Sequence, residues 1–310
     1  MTAIQPTVIA PLVYYDLLDR PLTAIEIFKY LQAPGPEISF FSLREHLKNT
    51  KLISEQNGLY FLPGRQGLFE ARQKKLKLAQ LKWKKLKTFG HYLALSPFLR
   101  LVAVTGSLTA YNSRVASDFD LFIVLERNRL WLGRLLLTGL VTFFGWRRHG
   151  QITQDRLCLN CYLAEKNLEI TAAIKPRDWH AAQEYGRLTP LLEINNGLYE
   201  NFTRQNPWLA DFLKNYPWPN GASNHKVIPP AAYSFFRRSL EWLFGGAIGD
   251  GLERLTGAWQ KKRIDRKREG EEPLRDQIFV SDHCLMFHPR SKSDRLMKAY
   301  NANIIRMKFK

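Results

Sequence analysis

Apolar side chains recur at helical spacing over residues 7–18 and again from Thr23 to residue 31, with Thr23 placed as the N-cap of the second run. Pro34-Gly35-Pro36 ends that helix, and Ser39 or Ser42 is set to cap a third over residues 43–51. The period then drops to that of a strand. Leu52-Ile53, the turn residues Gln56-Asn57-Gly58 and Leu59-Tyr60-Phe61-Leu62 together predict a β-hairpin. Residues 66–95 return to helical spacing, with Leu76, Leu81 and Leu86 among many lysines, and Pro97 closes them. Residues 99–105 are apolar and β-branched, the pattern of a buried strand. Residues 130–146 are apolar too, but Arg134 interrupts them and Arg147-Arg148 end them. The uncharged run is too short for a helix crossing about 30 Å of hydrocarbon, so a helix buried against a sheet is expected. A second aromatic helical stretch, residues 231–259, is broken near Gly245-Gly246 and Gly249-Asp250-Gly251. No internal repeat interrupts this order.

Three short helices followed by a hairpin resemble a winged helix over residues 1–65. That resemblance implies that the third helix, with Arg44, His46, Lys48 and Lys51, faces a DNA groove, or else that the module serves structure or protein contact. The division expected is therefore a winged-helix-like domain over 1–65, a basic linker helix over 66–97, a catalytic-type α/β domain over 98–180 and a mostly helical region over 181–310. A length of 310 residues agrees with about two domains and a helical tail.

Charge sharpens the picture of partners. The formal net charge of +18 creates a field that attracts polyanions. Basic residues cluster at 74–87 and 261–268, near Trp83 and Trp259, and read either as solvated helix faces or as a DNA or RNA footprint. Among polyanions, a nucleoside triphosphate ranks first, nucleic acid second and a membrane surface last. The three cysteines, Cys158, Cys161 and Cys284, and a start without a basic-then-apolar leader point to a cytoplasmic setting.

The chemistry is concentrated in Val104-Thr105-Gly106-Ser107 and, ten residues on, Asp118-Phe119-Asp120 leading into Leu121-Phe122-Ile123-Val124-Leu125. A strand that ends in Gly-Ser and turns into a helix near Leu108 offers free amides and a hydroxyl to phosphate oxygens. Asp118 and Asp120, two apart at the start of a strand, project from one face and can share a hard cation. The plainer alternative is that they meet arginines such as Arg114.

Gly106-Ser107 followed by Ser117-Asp118-Phe119-Asp120 resembles the signature of the polymerase-beta-like nucleotidyltransferase superfamily, over residues 99–175. The resemblance implies an α/β (α+β) fold with a small mixed sheet, Gly106 and Ser107 on the triphosphate, and Asp118 and Asp120 as ligands of Mg²⁺ or Mn²⁺. It also implies a third carboxylate on a neighbouring strand, which activates the attacking hydroxyl. That strand is 157–163, and its central polar residue is Asn160, which can ligate but carries no charge and takes no proton. Asp155 and Glu169 are the candidate substitutes. Cys158 and Cys161 are three apart, which on a regular strand sends them to opposite faces as core residues. His288, with Arg290 or Arg295, is a candidate substrate or phosphate contact.

The activity expected is metal-dependent transfer of an NMP from an NTP such as ATP to an acceptor, with release of pyrophosphate. The alternative is a nucleic-acid-binding regulator whose transferase domain senses nucleotide without turning it over.

Overall fold

A computed structural model describes residues 5–218, 224–270, 278–287 and 290–308 and shows a mixed α/β protein. The N-terminal part runs α1 (Gln5–Asp16), β1 (Leu22–Thr23), α2 (Ala24–Lys29), α3 (Phe40–Asn49), β2 (Ser54–Gln56) and β3 (Leu59–Phe61). Thr23 caps α2 through a capping box with Glu26, and Ser39 rather than Ser42 caps α3. Asn57 and Gly58 both take positive φ, as a two-residue hairpin turn requires, and β3 pairs with β2 on one side and β1 on the other. β1, only two residues long, has no sequence signal of its own.

This part is not detached from the rest. α1 is buried nearly all round, from Thr7 to Tyr15, because it lies between α2 and the C-terminal helix α11 (Arg290–Lys308). Tyr15 donates to Gln183 at 2.8 Å, and one apolar core joins Leu12 and Tyr14 to Leu101 and Phe122 of the central sheet.

The basic run forms α4 (Leu68–Leu93), whose Trp83, Leu86, Phe89 and Leu93 pack into a second core. The expected linker is thus a packed layer of the fold. Lys82 on α4 is buried and donates to the carbonyls of Val115 and Ser117 and to Asp155 at 2.6 Å. It holds the segment that delivers Asp118.

The central sheet has six strands in the order β7-β4-β5-β6-β9-β8. These are β4 (Leu99–Val104), β5 (Phe119–Leu125), β6 (Leu157–Ala164), β7 (Thr189–Glu193), β8 (Ile278–Val280) and β9 (Cys284–Phe287). β5 and β6 are parallel and every other neighbouring pair is antiparallel. The sheet therefore draws strands from well past residue 180, and the region expected to be mostly helical supplies three of its six strands, β7, β8 and β9. α5 (Gly106–Thr109) is a single turn between β4 and β5. α6 (Leu130–Phe143) covers one sheet face with α4 and α10 (Gly246–Gly270), as the apolar stretch 130–146 predicts. α7 (Trp179–Gly186), α8 (Leu198–Gln205) and the N-terminal helices cover the other. Among the described residues, no helix is long and apolar enough to cross a membrane.

An ion cluster ties α9 (Ala231–Leu243) to the sheet. Arg100 of β4 is buried, donates to Glu241 Oε1 at 2.7 Å and also pairs with Glu126. Glu241 further accepts from the Phe98 amide at 2.8 Å and from Arg237 at 2.9 Å.

Candidate metal and phosphate site

The end of β4 and the start of β5 lie side by side because the two strands are antiparallel neighbours. The Thr105 amide donates to the Asp120 carbonyl at 3.0 Å, which pins the turn after β4 beside Asp120. Gly106 takes φ +71°, and a Cβ built there would stand 2.5 Å from Asp120 Oδ2. Only glycine fits, so the carboxylate rests directly against the turn. Asp118, Asp120 and Cys158 bring their ligand atoms within 4.8 Å of one another. Ser107 is half-buried on the same turn, its hydroxyl 3.3 Å from that of Ser113.

α5 is only four residues long, so the expected helix end contributes little dipole. Thr105, its N-cap, makes no side-chain cap bond, and the first amides of the turn are the donors a phosphate would meet.

On β6 the register slips by one residue: Asp120 faces Cys158 and Leu121 faces Leu159, but Phe122 faces Cys161. A β-bulge at Asn160 absorbs the extra residue. It turns Cys158 and Cys161 to the same face of the sheet, which corrects the expectation of opposite faces. Cys161 still lies in the core, with Phe122 and Val124, but Cys158 lies with the two aspartates. Its thiol is pushed up to about 12, first by burial and then by the charges of Asp120 and Asp118, with Arg148 acting against them. A protonated thiol is a poor ligand for a hard cation. Asn160 points its amide at Asp120 Oδ1, 3.5 Å away.

Neither substitute for a third acid reaches the cluster. Asp155 is held by Lys82 and Lys85, and Glu169 pairs with Arg177 at 2.7 Å. The arginine that meets Asp118 is Arg148, not Arg114: its Nη1 lies 2.6 Å from Asp118 Oδ2 and 3.5 Å from Cys158 Sγ. The backbone fixes its place, since the Arg148 amide donates to the Leu157 carbonyl at 3.0 Å. A cavity of about 370 Å³, lined by Arg147, Arg148, His149, Cys158 and Asn160, opens beside the cluster.

No protein-family model, curated protein or solved structure matches this chain.

The site is thus read from its own donors. Two carboxylates from one strand end suit a Mg²⁺ or Mn²⁺ ion that takes its remaining oxygens from phosphate and water. Arg148 already sits on one of those carboxylates. A half-exposed pair of this kind is worth about 0.5–1 kcal/mol, so Arg148→Ala is expected to tighten binding of Mn²⁺ alone by about two- to fivefold in calorimetric titration. Weaker Mn²⁺ binding in that variant would mean that Arg148 supports the site rather than competing for it. His288 and the Arg290 side chain lie outside the described residues, and Arg295 is exposed on α11. Sequence reasoning missed Cys158 and Arg148. Alternation along β6 alone, counted back from Asn160, would have placed Cys158 on the site face.

Proposed function

We propose that the chain is a metal-dependent nucleotidyltransferase, moving an NMP from an NTP to an acceptor and releasing pyrophosphate. The observation that carries this reading is the seat of Asp120 against Gly106, which brings carboxylates and open backbone amides to one point. In this reading Gly106 and Ser107 hold triphosphate oxygens, and Asp118 and Asp120 hold a divalent cation. That cation supplies charge neutralisation at the transferring phosphate. Asn160 orients Asp120, but an amide takes no proton, so the acceptor must arrive already nucleophilic or be deprotonated by solvent.

Cys158 and Asn160 where a third carboxylate is expected, together with Arg148 on Asp118, favour a second reading: a nucleotide-sensing regulator that binds nucleic acid. The order α1-β1-α2-α3-β2-β3, with β1 against β3, supports the winged-helix resemblance of the N-terminal part. Its α3 carries Arg44 and Lys48 exposed, the latter beside Glu45, with Lys51 just beyond, while burial holds His46 below its ordinary pKa.

The test is calorimetric titration with a non-hydrolysable NTP, with and without Mg²⁺, followed by pyrophosphate release across small-molecule, RNA and protein acceptors. Metal-dependent NTP binding with pyrophosphate release is the expected result. Binding without release, alongside nucleic-acid affinity that falls steeply with salt, selects the regulator. Absence of metal-dependent NTP binding overturns both.

A further inference from the structure

The helices α9 and α10 are inside out. Along α9, Phe235, Phe236, Trp242 and Leu243 recur at helical spacing and are 76%, 51%, 85% and 54% exposed, while the face turned to the protein carries Arg237 and Glu241. α10 repeats the arrangement over its first turns: Glu253 accepts from the Trp131 and Leu132 amides at 2.8 Å and the buried Gln260 donates to the Trp131 carbonyl, while Ile264 further along enters the core and the exposed Asp250 pairs with Arg129. Its Ile248, Leu255 and Trp259 face outward, 69%, 69% and 52% exposed. An amphipathic helix ordinarily buries its apolar stripe. Two consecutive helices that turn polar side chains to the protein and leave large apolar ones outside present an apolar surface that water alone does not explain.

What borders that surface selects its occupant. Lys262, Arg263 and Arg266 stand exposed on α10, and none has a carboxylate partner among the described residues. A cavity of about 710 Å³ between α6 and α10 has apolar walls at Leu135, Phe143 and Trp259 and carries Arg147 and Arg263. A stripe of Phe, Trp and Leu bordered by Lys and Arg matches the layering of an anionic bilayer surface, with acyl chains below and phosphates above. A second copy of a chain with net charge +18 would bring like charges to the same border and lacks that match.

We propose that α9 and α10 form a docking face for an anionic membrane surface, with the aromatic side chains at headgroup depth and Lys262, Arg263 and Arg266 on lipid phosphates. This docking is peripheral and does not rest on the transfer chemistry. It moves the membrane from last place among the partners expected from charge, because charge alone does not reveal which way a helix faces.

Co-sedimentation of the full chain with vesicles of phosphatidylcholine, alone or mixed with phosphatidylglycerol, tests it. Binding to the mixed vesicles is expected to exceed binding to neutral ones by about tenfold or more and to weaken as salt rises. The pair Phe236→Ser and Trp242→Ser is expected to lose at least about tenfold of that binding. Lys262→Glu with Arg266→Glu is expected to abolish the preference for anionic lipid. All four positions are exposed, so the thermal midpoint reports whether each variant keeps its fold. No binding to anionic vesicles, or equal binding by the Phe236/Trp242 variant, overturns the proposal. So does a dimer in light scattering that this variant dissolves while leaving vesicle binding unchanged, since the face would then belong to a second copy.

Discussion

Asp120→Ala is expected to abolish metal-dependent nucleotide binding while leaving the fold intact. Asp120 Oδ2 lies where a Gly106 side chain would begin, so its removal empties the point at which cation, phosphate and turn would meet. Loss of one group that stabilises charge at a reacting centre costs about 10²–10³ in turnover, roughly 2.7–4 kcal/mol. Ligand binding also stabilises the folded state, by about 2.7 kcal/mol at a hundred times Kd. The wild type should therefore gain thermal stability on addition of Mg²⁺ and a non-hydrolysable NTP, and Asp120→Ala should gain none. Without ligand, the variant should melt close to wild type, because relief of repulsion from Asp118 offsets the lost contact with Asn160. Asp118→Ala should behave alike and also release Arg148. Wild-type affinity for metal-NTP in either variant would remove the site assignment.

The second large effect concerns stability. Glu241→Ala leaves Arg100 and Arg237, both buried, without their shared carboxylate and strips the Phe98 amide of its acceptor. Arg100 keeps Glu126 and Glu241 is only partly buried, so the loss of these charged hydrogen bonds costs about 1.5–3 kcal/mol, read as a lower midpoint in urea. The same group gives an acid signature. Burial alone would raise the Glu241 carboxyl, but bonding to Arg100 and Phe98 and the charge of Arg237 outweigh it and hold it below its ordinary 4.5. Its folded pKa thus lies under its unfolded one. The contribution is whole at neutral pH, fades as pH falls past 4.5 and is gone below the folded value. Glu241→Ala should therefore depend less steeply on pH than wild type in that window. A variant that unfolds at the wild-type urea midpoint would show that the cluster is too well hydrated to matter.

The legible parts of this protein are those written in consecutive residues. Thr23 with Glu26, Asn57-Gly58 and the apolar run after Asp120 each mark an element within a few positions, and the structure has those elements there. The placing of Gly106 beside Asp120 and of Asp118 near Asp120 was legible for the same reason, since a strand end and a period of two need no distant partner. The rest depends on pairing between remote segments. β7 and β9 join the sheet from far along the chain, and residue patterns do not say which strand a strand will meet. Cys158 enters the site because β6 pairs with β5 in the register that sets it beside Asp120, and Arg148 because a loop strand lies along Leu157. α9 shows the limit most clearly: its amphipathic pattern is plain, yet only the positions of Arg100 and the Phe98 amide decide that its charged side turns inward.

The order of strands also bears on how the chain must be made. β6 lies between β5 and β9, and β9 is delivered only by residues 284–287. During synthesis, the edge of β6 at 161–163 therefore stays bare while more than a hundred further residues leave the ribosome. A fragment cut at residue 180 keeps that bare edge permanently and gains a second one on β4, where β7 belongs. Such a fragment offers open templates for stray pairing with its own kind, so a unit that carries both aspartates and leaves neither edge bare has to include β7 and β9.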